Sequence, residues 1–125
     1  MNENEISYKV IGAALAVHSF LGPGLLESAY EIALAYELVE AGFEVRRQLP
    51  VPIVYKGIRM DGAYRVDLMV NEKVIIELKS VEFLAPVHDA QALTYLKLSG
   101  KKLGLLINFN GASLKAGINR IVNNL

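Results

Sequence analysis

The chain has 125 residues, 53% of them hydrophobic and 21% charged, which suits one globular domain with a single core and excludes a disordered polyelectrolyte. Thirteen basic and thirteen acidic side chains cancel, which excludes a general polyanion-binding surface, so any nucleic-acid contact has to come from a local basic patch. No cysteine is present, which removes disulfides and thiolate metal sites and suits a cytoplasmic protein.

The opening segment "MNENEISYKV" lacks both the basic and the apolar region of a secretory leader. No apolar run reaches the ~20 residues of a membrane span. The expectation is a single soluble domain over residues 1–125, without a membrane partner. Ile6, Val10, Ile11, Ala14, Leu15, Val17 and Phe20 recur at helical spacing, predicting a helix over 5–20 with one wide buried face. "LGPG" at 21–24 breaks it, and a second helix follows over about 25–41, closed by Gly42.

After Gly42 the pattern turns β-branched. "FEVRRQLPVPIVYKGIRM" carries Pro50 and Pro52, which place it at a sheet edge or a bend. "YRVDLMV" and "KVIIELKSV" are strands joined by a short polar turn at 71–73. "APVHDAQALTYLKLSG" is a helix with Pro86 near its start and Gly100 past its end, and "KLGLLINF" is a final buried strand. "SLKAGINRIVNNL" is assigned a short C-terminal helix. The order helix, helix, three strands, helix, strand is α/β with a mixed sheet. The crossover through the third helix makes the flanking strands parallel if they are neighbours.

Within "VIIELKS", Glu77 and Lys79 interrupt the most strand-like stretch, two apart and therefore on one face. A charge there is costly unless it is paired, hydrogen-bonded or metal-bound. Asp67 stands alone in the preceding strand, and a hairpin centred on Glu72 sets it opposite Glu77. Like charges so placed destabilise a bare sheet. A divalent cation removes the objection, since carboxylate oxygens are its preferred hard ligands. Mg²⁺ or Mn²⁺ held there would acidify a water and polarise a phosphoryl oxygen, with Lys79 orienting the water or stabilising developing charge. Exposed Glu-x-Lys pairs are common on solvated sheets, so the weight rests on Asp67.

The pattern D-x(9)-E-x-K across a hairpin, followed by a helix and a strand, resembles the PD-(D/E)XK nuclease superfamily. Gly24, Glu27 and Tyr30 in "GLLESAYE" resemble the G-x-x-E-x-x-Y motif of the GxxExxY family, and the likeness extends from about residue 8 to 122. The resemblance implies a restriction-endonuclease-like αβββαβ core. It implies metal binding by Asp67 and Glu77 with Glu27 beside them, and catalysis by these carboxylates and Lys79. Gln91 and Tyr95 match the Q-x-x-x-Y element of the RecB-type branch, a supporting role. Val66 stands where the superfamily's name has proline.

The bland readings sit beside these. Glu27 at a helix start is also favoured by the helix dipole. Tyr30 is equally a packing residue with a bonded hydroxyl. Gln91, on a face rich in Ala, Leu and Tyr, needs a partner if buried. His88 is a capping residue unless it reaches a phosphate, and His18 is structural. Arg46–Arg47, Lys56 with Arg59, and Lys97 with Lys101–Lys102 are candidate phosphate contacts or solvated faces. The leading expectation is a Mg²⁺- or Mn²⁺-dependent nuclease acting on DNA or RNA, with a homodimer compatible with its size. The alternatives are an inactive nucleic-acid- or protein-binding module on the same fold and a phosphodiesterase for other substrates.

Overall fold

A computed structural model describes residues 1–125. Helix α1 (Glu3–Leu21) starts on a capping box: Asn2 accepts the Glu5 N–H at 2.9 Å and Glu5 accepts the Asn2 N–H at 3.1 Å. Helix α2 (Glu27–Glu40) ends as the sequence implies. Gly42 adopts φ 92, its N–H reaches the Val39 carbonyl, and the Phe43 N–H reaches that of Leu38. Strands β1 (Val45–Tyr55), β2 (Ile58–Val70) and β3 (Val74–Lys79) follow, then helix α3 (Pro86–Ser99) and strand β4 (Leu103–Asn108).

The sheet runs β1-β2-β3-β4-β5, where β5 spans Ile118–Val122. Only β3 and β4 are parallel, with α3 as their crossover, so the expected parallel pair forms. β1 is an edge, which is where a strand with two prolines belongs. Alternation on β3 divides the core between two layers. Val74, Ile76 and Leu78 pack with Ile6, Val10, Leu34 and Leu38 of α1 and α2. Ile75 packs on the opposite face with Tyr95 and Leu96 of α3.

The C-terminal segment corrects the sequence reading. Instead of a helix it forms a single 3₁₀ turn (Lys115–Gly117) and then β5. Leu114, Ile118 and Ile121 fall at helical spacing, which made a helix credible. The open edge of β4 captures the segment instead, pairing Ile107 with Ile118 and Leu103 with Val122. Ile118 then packs toward the α1/α2 layer and Ile121 toward the α3 layer. Gly117 makes the turn: a Cβ there would stand 2.7 Å from the Asn108 carbonyl oxygen.

The β1–β2 ribbon changes faces midway. Val45 packs toward α1 and α2, and Arg47 pairs with Glu31 of α2, yet Leu49 packs on the α3 layer. On β2, Leu68 belongs to the first layer and Val66 to the second. The inversion is centred on Gln48, at φ 50, and on Asp67 across from it, and the ladder skips both. A regular strand would keep residues two apart on one face.

Candidate active site

The hairpin pairs Leu68 with Ile76, Met69 with Ile75 and Val70 with Val74, the register centred on Glu72. Asn71 and Glu72 both take positive φ, suited to the twist of a tight hairpin. Beyond Leu68 the β2–β3 ladder stops and the two acids replace it. The Glu77 carboxylate accepts the Asp67 N–H at 3.1 Å, and the Asp67 carboxylate accepts the Leu78 N–H at 2.8 Å. The two carboxylates therefore stand together where the strands separate, each meeting a backbone donor that would otherwise be orphaned.

Burial raises the Asp67 pKa, opposed by the bonds from Leu78 and Gln48, while Glu31 and Glu27 add to the rise. Glu77 is pushed up to about 8, first by burial and then by the Asp67 carboxylate; the Asp67 N–H and Lys79 work against this. Lys79, half-buried at the end of β3, exerts its field without an ion pair. None of the three salt bridges involves Asp67, Glu77 or Lys79.

Glu27 lies in the first turn of α2 and accepts the Ser80 N–H at 3.3 Å, which places it beside the exit of β3. Its charge reaches both Asp67 and Glu77. It does not join them in a cage: nowhere do three acidic or histidine side chains converge as a metal site. Tyr30 ties down the loop before α2. Fully buried, it accepts the Leu25 N–H at 3.1 Å, donates to the Gly22 carbonyl at 2.6 Å and stacks on Phe109 at 4.4 Å. It pins the loop that delivers Glu27 and does not itself face the carboxylates' solvent side.

On α3, Tyr95 is buried edge-on to Tyr64, with ring centroids 5.2 Å apart. Its pKa is pushed up to about 12 by burial and then by Glu77, Tyr64 and Asp67. Gln91 is solvent-exposed, so it lacks the buried amide's need for a partner. His88 turns out to be a cap: its Nδ1 accepts the Ala85 N–H at 3.0 Å. His18 is structural as expected, with Nε2 2.9 Å from the Gly111 carbonyl oxygen.

Sequence reasoning missed two residues, Glu31 and Gln48. Glu31 is buried and receives two hydrogen bonds on Oε2 from Arg47, at 3.1 and 2.9 Å. Gln48 donates to Glu31 Oε1 and, at 3.2 Å, to Asp67 Oδ1. A chain Arg47–Glu31–Gln48–Asp67 thus runs from α2 to the carboxylate pair. The available signal was the spacing of Glu27 and Glu31, four apart and so on one helix face. Gln48 gave none, since its role depends on the inverted backbone.

Two clefts lie near the exit of β3, and neither is lined by Asp67 or Glu77. One, of about 410 Å³, is lined by Leu25, Leu26, Glu27, Ser28 and Ser80. The other, of about 390 Å³, opens beyond the ends of β3 and β4. Among the candidate phosphate contacts, Arg46 pairs with Glu72, Arg47 with Glu31 and Arg59 with Asp61. The adjoining carboxylates of buried Glu77 and half-buried Asp67, without a paired ammonium, fit a divalent cation, which takes one or two protein carboxylates and fills the rest with water. Asp67 and Glu77 would be its ligands.

The sequence model of the PD-(D/E)XK nuclease superfamily matches residues 4–121. The chain belongs to that superfamily. This PD-(D/E)XK domain has the mixed sheet and flanking helices expected of the fold, and its membership supports a nuclease-type function. No curated protein and no solved structure matches it significantly. No helix of this PD-(D/E)XK domain is long and apolar enough to cross a membrane.

Proposed function

We propose that the chain is a divalent-metal-dependent nuclease that hydrolyses phosphodiester bonds of DNA or RNA, with Asp67 and Glu77 holding Mg²⁺ or Mn²⁺. The observation that carries this is the hydrogen-bonded Asp67–Glu77 pair, Glu77 buried and Asp67 half-buried, with half-buried Lys79 two residues along β3 and no ion pair satisfying any of the three. When bound, the cation lowers the pKa of a coordinated water and polarises the phosphoryl oxygen. Asp67 and Glu77 are held in place for it: Asp67 accepts the Leu78 N–H on one oxygen and the Gln48 amide on the other, and Glu77 accepts the Asp67 N–H. Lys79 places an ammonium beside the pair, able to orient the attacking water or to stabilise charge on the phosphorane-like transition state. Glu27, tied to Ser80, buttresses the exit of β3 and adds negative charge that favours the cation.

Assignment to the GxxExxY family and the RecB-type branch is part of the same reading, supported by Gly24, Glu27 and Tyr30 and by the Gln91–Tyr95 spacing. A panel of single- and double-stranded DNA, RNA and branched duplexes, with Mg²⁺ or Mn²⁺, tests it. Cleavage should vanish in EDTA and in Lys79→Ala, whose circular dichroism should match the parent. Equal cleavage by Lys79→Ala removes the lysine from the mechanism. The reading as an inactive binding module is favoured by one observation, the pairing of Arg46, Arg47 and Arg59 with acidic partners. It predicts no cleavage of any substrate in the panel.

A further inference from the structure

The second cleft lies one strand from Lys79. Asn108, which lines it, is the direct β4 partner of Lys79 across the parallel pair, and neighbouring strands are ~4.8 Å apart. Its walls are held rigidly. Asn108 accepts the Val81 N–H at 3.1 Å and donates to the Val81 carbonyl at 2.9 Å, locking the 82–84 loop to the end of β4. Asn119, on the far wall, donates to Asp89 at 2.9 Å. Gly117 lies so close to the Asn108 carbonyl that no side chain fits between them.

The rims remain chemically open. The backbone N–H groups of Glu82, Phe83 and Leu84 on one side, and of Gly111 and Ser113 on the other, have no intramolecular acceptor. Phe83 lines the cleft and is 78% exposed. Glu82 is the only ionisable residue in the lining. A phosphate would meet one negative charge and no positive one. An uncharged planar heterocycle with carbonyl and ring-nitrogen acceptors suits a lining that offers an exposed aromatic ring and free backbone N–H groups.

We propose that this cleft is a nucleobase subsite in which Phe83 stacks on an unpaired base of the strand whose phosphate lies at Lys79. The inference rests on the nuclease reading for why a strand is there. A base inside a duplex has its faces stacked and its pairing edge occupied, so the subsite selects single-stranded substrates, flaps or frayed ends.

The chain contains no tryptophan, so Phe83→Trp creates a sole indole reporter at the cleft. Titrated with (dT)₈ in EDTA, where cleavage cannot proceed, its fluorescence should be quenched saturably. A blunt duplex of equal length should quench it at least tenfold more weakly. Tyr8→Trp, exposed near the start of α1 and ten residues before the His18 that meets Gly111, should not respond. Phe83→Ala should weaken (dT)₈ binding roughly 5- to 100-fold, the range of one base–aromatic stack, with duplex binding unchanged. No quenching, equal quenching by duplex, or parental affinity in Phe83→Ala overturns the proposal. Cleavage in Mg²⁺ without a Phe83→Trp response would leave the nuclease reading standing and remove the subsite. Quenching by (dT)₈ without cleavage of any substrate would do the reverse.

Discussion

Replacing Glu77 by glutamine should remove most of the alkaline instability of the metal-free protein. Burial and Asp67 push the Glu77 carboxyl from its ordinary 4.5 to about 8, so the folded chain holds this proton more tightly than the unfolded chain. The resulting stabilisation is fully present below pH 4.5 and is lost as pH rises through 8. At about 1.4 kcal/mol for each pH unit between those values, the loss comes to about 5 kcal/mol. A domain of this kind has only about 5–15 kcal/mol in total, so the effect should dominate its pH profile. The amide of Glu77→Gln still offers an oxygen to the Asp67 N–H but cannot ionise. Urea unfolding in EDTA from pH 5 to 9 should show the parent losing stability steeply while Glu77→Gln stays nearly flat. Adding Mg²⁺ at pH 8 should restore the parent and leave the variant unmoved. Parallel pH profiles would refute the reasoning, because they would mean that Glu77 does not carry the buried charge.

The other predictions concern single contacts. Asp67→Asn should weaken Mn²⁺ binding at least tenfold by calorimetry, and an unchanged affinity would take Asp67 out of the ligand set. Tyr30→Phe strips the hydroxyl from the Leu25 N–H and the Gly22 carbonyl and should cost about 1–3 kcal/mol in chemical unfolding. A loss near zero would mean that water replaces the hydroxyl and that the loop before Glu27 is held by other contacts. Gly117→Ala drives a methyl to 2.7 Å from the Asn108 carbonyl and should cost about 1–3 kcal/mol, lowering the melting temperature. Gly12→Ala, in α1 with open space around it, should instead stabilise by up to about 1 kcal/mol. If the two alanine variants melt alike, the close approach at Gly117 is not a constraint.

Local chemistry alone determined much of this protein. Proline and glycine at the ends of α3, the glycine cap of α2 and the β-branched runs were readable because each reflects backbone preferences within a few residues. The Asp67–Glu77 juxtaposition was readable too, since an antiparallel hairpin is symmetric about its turn. The C-terminal strand was not. Leu114, Ile118 and Ile121 satisfy a helical spacing, and only the unpaired edge of β4, formed by residues distant in sequence, decides for β. Nor was the role of Gln48. Its side chain reaches Glu31 and Asp67 only because both strands of the ribbon invert at that point, and an alternating sequence carries no mark of the residue at which alternation stops. Tyr30 and His88 carried both a functional and a structural reading; stacking on distant Phe109 gave Tyr30 a structural task, and a local cap on the Ala85 N–H gave His88 one. The division follows from range: hydrogen bonds between near neighbours leave a pattern in the sequence, whereas a carboxylate's burial and its partners depend on which distant segments fold against it.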